Sequence, residues 1–210
     1  MRTRRRSLAV AFAAASTLLV PTSALAGPGP SAAPQAGPDR HCVGRSAEVG
    51  KRADNTRVTC YDSFRKAIHA ASGGLIADAP ESAKAAATDA KFTARVNGLA
   101  AAKKRAGSAG AAAQIIHSIE YVHHNHGGST FTWWNDWACD REPDNDFWHP
   151  NIAEKHPQWD NQISSFKTYA DCEVNHYEHP NWGGVRTGHQ TTQSYIGDAM
   201  NDRSTEFEWA

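Results

Sequence analysis

Residues 121–128 read Y-V-H-H-N-H-G-G and residues 177–184 read Y-E-H-P-N-W-G-G, identical at five of eight positions. Each follows a short β-like run, Ser118-Ile119-Glu120 in one case and Glu173-Val174-Asn175-His176 in the other. A second pair of related segments lies downstream, D-N-Q-I-S-S at 160–165 and N-D-R-S-T-E at 201–206. The alternation of hairpin, loop, hairpin and loop is what a duplicated four-strand unit gives. Tyrosine opens each hairpin, and paired glycines supply positive φ or a close backbone approach where the chain folds over itself.

The downstream loops carry an acid or amide pair, then a residue with a free carbonyl, then a hydroxyl. Hard oxygens from several sources suit Ca²⁺, which takes about six to eight oxygen ligands in flexible geometry. Neither loop holds a soft ligand. The same Asn and Asp residues also favour turns through local hydrogen bonds, and their repetition is what raises the calcium reading above turn chemistry.

At these residues the chain resembles the βγ-crystallin superfamily, in its microbial secreted members. Those domains pair two Greek-key motifs, each with a Tyr/Phe-x-x-x-x-Phe/Tyr-x-Gly hairpin and an Asn/Asp-Asn/Asp-x-x-Ser/Thr-Ser calcium loop. The match spans roughly residues 115–210. The resemblance implies two sites that exchange ligands between loops. One would use the Val122 and Gln162 carbonyls, Ser164 Oγ and the Asp202 carboxylate; the other would use the Glu178 and Arg203 carbonyls, Thr205 Oγ and the Asn161 side chain. Asp160 and Asn201 would hold the loops in shape. Glu206 stands where the second loop should end in Ser, Asn161 is neutral where an acid would add charge, and His126 replaces the usual aromatic ring. The site fed by Asn161 is therefore expected to be the weaker.

The first motif is also longer, with 39 positions from Tyr121 to Asp160 against 24 from Tyr177 to Asn201. The extra stretch, Trp137 to Gln158, holds Cys139, Trp148, His149, His156 and the acidic run Asp140 to Asp146. It is the segment where individuality is expected.

Outside this region the composition changes. All seven tryptophans lie between Trp133 and Trp209, whereas residues 80–114 are rich in alanine. Residues 27–114 carry 13 Lys/Arg against 7 Asp/Glu, and residues 115–210 carry 5 against 15, so a neutral chain is polarised into a half of +6 and a half of −10. The acidic half argues against nucleic acid and toward cations or basic partners, and the basic half could dock on it.

At the N-terminus, Arg2, Arg4, Arg5 and Arg6 precede an apolar run from Leu8 to Val20 and then Ala24-Leu25-Ala26, the layout of a secretory signal over residues 1–26. That run is too short to anchor the chain in a bilayer. Residues 27–40 read as a flexible Gly/Pro/Ala segment. Residues 41–114 read as a small basic, helix-rich domain. It opens with a hairpin turning at 53–55 and continues with a helix capped by Asp62 or Ser63, bearing Phe64, Ala67, Ile68 and Ala71, and ended by Gly73-Gly74. A second helix is expected from Pro80 or Ser82 through Phe92, Val96 and Leu99 to Lys104, followed by a linker at 106–113.

Four cysteines in an exported chain point to two disulfides, for which three connectivities are open. Segregation by half favours Cys42 with Cys60 and Cys139 with Cys172, the latter pinning the long insert. The absence of Cys-x-x-Cys spacing disfavours zinc. The fold class expected is α+β overall, with an all-β double Greek-key sandwich at 115–210 preceded by the helical domain.

No Gly-x-Ser-x-Gly, no His-Glu-x-x-His and no spaced carboxylate pair marks an enzyme. The consecutive His123, His124 and His126 do not form a dispersed HNH nuclease motif. The tryptophans read as core rather than as a carbohydrate platform. The expectation is a secreted, monomeric module stabilised by calcium, with an unidentified extracellular or cell-surface partner and no membrane span. The alternatives are a secreted protease inhibitor and an antimicrobial, killer-toxin-like protein, both of which share the fold the resemblance implies.

Overall fold

A computed structural model describes residues 37–51, 57–106, 113–140, 142 and 144–210. The expected export signal, most of the 27–40 segment, the turn at 53–55 and most of the 106–113 linker lie outside the described residues.

The two repeated segments fold alike. Strands β4 (Ile115–His123) and β5 (Gly127–Asn135) form one hairpin, and β8 (Val174–His179) and β9 (Gly183–Arg186) form the other. His123 pairs with Gly127 and His179 with Gly183, each just beyond a bulge. The hairpin tips repeat the same left-handed pair, with φ of 55° and 59° at Asn125 and His126 and 60° and 59° at Asn181 and Trp182. Gly128 and Gly184 follow at φ 77° and 76°. A Cβ on Gly128 would sit 2.6 Å from His123 Cδ2, and one on Gly184 would sit 2.7 Å from Glu178 Oε2. Gly128→Ala is thus expected to cost on the order of 1–3 kcal/mol, read as a lower urea midpoint at unchanged slope.

The remaining strands close two sheets by exchange. One sheet has the order β3-β1-β5-β4-β7 and the other β2-β6-β10-β8-β9, where β6 is Phe147–His149, β7 is Ser165–Thr168 and β10 is Glu206–Trp209. Strand β6 of the first repeat crosses to pair with β10 of the second. In return, Gln193 of the second repeat pairs with Phe166 on β7 of the first. The reciprocal crossing makes the double Greek key. Between the sheets lie Phe131, Trp133, Phe166, Phe207 and Trp209, all fully buried, with Trp159 packed edge-on to Phe131.

The boundary expected at residue 114 does not separate two cores. Strand β1 (His41–Arg45) runs parallel to β5, with Cys42 opposite Phe131 and Val43 opposite Thr132. Strand β3 (Val58–Tyr61) pairs antiparallel on the far side of β1, where Cys42 and Cys60 face each other and form a disulfide. Strand β2 (Ala47–Glu48) joins the other sheet through β6. The basic half therefore extends both sheets.

Its helices cover the outer face of the first sheet. Helix α1 (Phe64–Ala71) is capped by Ser63 and followed by Gly73 and Gly74 in positive φ, as its sequence signals require. The single helix expected next is two, α2 (Ala83–Thr88) and α3 (Ala90–Ala106). The break lies at Asp89, whose Oδ1 accepts from the Lys91 and Phe92 amides at 2.8 and 3.1 Å and so caps α3. Phe64, Ile68, Phe92 and Val96 bury against Ile119, Tyr121 and Tyr169 of the sheet in one apolar cluster. An 8-residue helix and an alanine-rich pair cannot bury their stripes against each other alone, and the sheet supplies the missing surface.

The insert is built into the fold. It provides β6 and the short helix α4 (Ile152–Lys155); Phe147, His149 and Ile152 are buried, and Cys139 is joined to Cys172. No helix among the described residues is long and apolar enough to cross a membrane.

Candidate metal centre between the interlocked loops

The two Asn/Asp loops clasp each other about a pseudo-twofold axis. The Asn161 amide donates to the Ser204 carbonyl at 3.1 Å, and the Asp202 amide donates to the Ile163 carbonyl at 3.1 Å. The Ser164 amide donates to the Tyr121 carbonyl and the Thr205 amide to the Tyr177 carbonyl, both at 2.9 Å. Asn161 and Asp202 share the left-handed conformation, at φ 57° and 56°. Asn and Asp tolerate this region best among residues with a Cβ, which explains why each loop has one there.

Of the first expected ligand set, three members meet. Ser164 Oγ lies 3.1 Å from the Val122 carbonyl oxygen and 3.2 Å from Asp202 Oδ1. These oxygens come from a hairpin, from its own loop and from the other motif's loop. A single hydroxyl hydrogen stands among them, so Ser164 satisfies one neighbour and leaves the other facing an oxygen. Such a cluster suits a hard cation. Gln162 lies beside it with its side-chain amide folded onto the Asp160 and Asn161 carbonyls. Asp202 Oδ2 accepts from Asn201 Nδ2 at 2.9 Å, and Asn201 Oδ1 lies 3.2 Å from His124 Nε2. Asn201 thus bridges the Asp202 carboxylate and the His124 ring. Burial raises the Asp202 carboxyl above its ordinary pKa, against the opposing pull of the Ser164 and Asn201 bonds and of His124 and His123.

The second set is arranged differently. Thr205 Oγ1 donates to Asp160 Oδ1 at 2.7 Å rather than meeting Asn161, and Asn161 donates its amide to Asp160 Oδ2 at 3.0 Å. The side chain that meets Thr205 is thus Asp160, one residue before Asn161. Glu178 and Arg203 form an ion pair through their side chains. The Val185 amide and then the Arg203 guanidinium hold the Glu178 carboxyl below its usual range, with burial opposing them.

The histidines of the first hairpin diverge. His126 Nε2 lies 3.2 Å from the Phe166 carbonyl, while His124 packs at a tilt against Tyr195, 4.3 Å between centroids. Among the described residues no group of three or more His, Cys, Asp or Glu side chains surrounds a metal position. The oxygens that do converge are one carbonyl, one hydroxyl and one carboxylate.

Two polar features were missed in the sequence. Glu120 and His176, equivalent residues of the two repeats, meet in the core at 3.1 Å with no exposure. Glu206 and Glu208 lie side by side on the outer face of β10, also buried. The only sequence signal for these acids was the Glu-x-Glu spacing in a strand whose alternate residues, Phe207 and Trp209, are core.

The reciprocal loops, the crossed strands and the paired hairpins define a βγ-crystallin-like arrangement. Neither a family profile nor a curated protein matches the sequence. Among solved structures, a βγ-crystallin domain from Clostridium beijerinckii is similar over 44% of this chain and 95% of its own, at 19% identity and a TM-score of 0.33. One from Flavobacterium johnsoniae is similar over 44% and 92%, at 18% identity and a TM-score of 0.32. The N-terminal domain of protein S is similar over 45% and 94%, at 14% identity and a TM-score of 0.32.

Proposed function

We propose that this chain is an extracellular calcium-binding module in which the ion ties the first hairpin to both loops. The observation that supports it is the convergence of Val122 O, Ser164 Oγ and Asp202 Oδ1 from three separate segments. The Gln162 carbonyl would complete the protein's share, with Asp202 supplying the charge. Asp160 and Thr205 offer a second, less complete position. Calcium here would serve the fold, cross-linking segments distant in sequence.

Extracellular modules bind calcium with Kd of about 10⁻⁴ to 10⁻³ M. By mass action, 10 mM calcium would add about 1.4–2.7 kcal/mol, a rise of roughly 3–10 °C in melting temperature for a chain of this size. Asp202→Ala should abolish most of that rise while Thr205→Ala keeps most of it. A calorimetric scan showing no rise, or an equal rise in the Asp202→Ala protein, would overturn the reading. The N-terminal sequence pattern and the two disulfides support export.

A further inference from the structure

The duplication sets equivalent residues on the outer faces of the two sheets, and the chain treats those faces differently. On the first sheet the outer residues Ile119, Tyr121 and Lys167 lie under the basic half. Ile119 and Tyr121 join the cluster with Phe92 and Val96, and Lys167 Nζ donates to the Ala87 carbonyl at 2.5 Å. Their counterparts on the second sheet are Asn175, Tyr177 and Glu208, with Glu206 in the place of Ser165. These are covered by the tip of their own hairpin.

That cover is Trp182. Its backbone amide donates to Glu206 Oε2 at 3.3 Å, and its indole Nε1 donates to Glu208 Oε1. Tyr177 donates its hydroxyl to Glu208 Oε2 at 2.6 Å. The ring lies nearly parallel to Trp148, 16° apart with centroids at 6.1 Å. Glu206 has 0% exposure, and its Oε1 has no hydrogen-bond partner; the buried Nε1 of Trp148 has none either. Trp182 itself is 56% exposed and sits at φ 59°, a conformation bulky side chains seldom adopt. In the first hairpin the same position is His126, which is buried and packs edge-on to Tyr121 at 5.0 Å. One hairpin uses this residue to close the sheet, and the other presents it to solvent.

An indole that gives its N–H to a carboxylate has a more electron-rich face, and here two carboxylates stand behind it. Such a face attracts a cation, for which tryptophan is the best of the aromatic rings. The ring belongs to the half of the chain that carries 5 Lys/Arg against 15 Asp/Glu, which favours a cationic partner. We infer that Trp182 and Trp148, backed by Glu206 and Glu208, form a recognition site for the cationic side chains of a basic peptide segment of a partner protein.

The test uses the full chain and a lysine-rich heptapeptide, titrated by calorimetry at low salt with EDTA present. Saturable binding is expected, weakened by about three- to thirtyfold in Trp182→Ala, less in Trp182→Phe, and clearly in Glu208→Gln. Asp202→Ala should bind as the unmodified chain does, so this site and the calcium reading stand or fall separately. Circular dichroism and melting of each variant establish that it folds. The inference is overturned if the peptide does not bind, if folded Trp182→Ala binds it equally, or if a glutamate-rich peptide or neutral chitotriose binds as well as the lysine peptide.

Discussion

His176→Leu is expected to lower stability by about 3–5 kcal/mol, the cost of leaving a buried charged partner uncompensated. Glu120 would keep only Ser118 Oγ, at 2.5 Å, and Ser118 is already held by Trp209 Nε1 at 3.0 Å. The loss should appear as a fall of roughly 6–20 °C in melting temperature. Glu120→Leu combined with His176→Leu should recover much of it, since an apolar pair of similar volume removes both groups together. If the single variant melts within about 2 °C of the unmodified chain, the pair contributes little and the accounting is wrong.

Acid should destabilise the protein well above the range where carboxylates titrate. His117 is buried between Phe147 and Trp209, with Nε2 donating to the Trp137 carbonyl at 2.7 Å. Burial pushes it from 6.5 down to about 4. His149, stacked on Trp133 at 4.7 Å, is pushed by burial to about 3, helped by His156 and Lys155. Both are neutral when folded, so below pH 6.5 only the unfolded chain takes up their protons and stability falls. Between pH 7 and 5 each costs about 2 kcal/mol, and the loss continues until the folded values are reached. Glu206 works the other way. Burial, with Glu208 adding to it, raises the carboxyl from 4.5 to about 7, so the folded chain gains its proton first and stability rises as pH falls through that window, by about 2 kcal/mol. The net loss between pH 7 and 5 is then about 2 kcal/mol, and it should near 4 in Glu206→Gln, whose side chain no longer titrates. Urea midpoints of the two proteins across pH 4–8 measure the difference. Parallel curves would show that Glu206 does not oppose the histidines.

What could be read in the residues depended on whether the signal was local. The hairpins, the loops and α1 were legible because Tyr121, the Gly127-Gly128 pair and Ser63 each act within a few positions of themselves. The expected disulfide partners are joined, Cys42 and Cys60 across neighbouring strands and Cys139 and Cys172 between two loops. Strand β1 was not legible as part of the sandwich. Cys42 faces the inner core and Val43 the helices, so both faces are buried and no alternation marks it. Its partner β5 lies far along the chain and leaves no trace in the sequence near His41. Asp89 was overlooked as a helix stop because the break uses a side-chain cap without Gly or Pro. Across the loops Ser164 meets Asp202, and Thr205 meets Asp160 rather than Asn161; one residue of offset within a turn is beyond what a spacing pattern resolves. Glu120 and His176 occupy core positions that polarity alone assigns to solvent.

The parallel pairing of His41–Arg45 with Thr130–Trp134 also sets an order of events during synthesis. The first of these strands leaves the ribosome about 90 residues ahead of its partner, several seconds at ordinary elongation rates. During that interval only β3, within 20 residues, is at hand to pair with it. The helices meanwhile carry apolar stripes with no sheet to receive them. A nascent chain of this design must keep its N-terminal portion from aggregating until the last strands arrive, which makes its yield depend on what shields those stripes in the meantime.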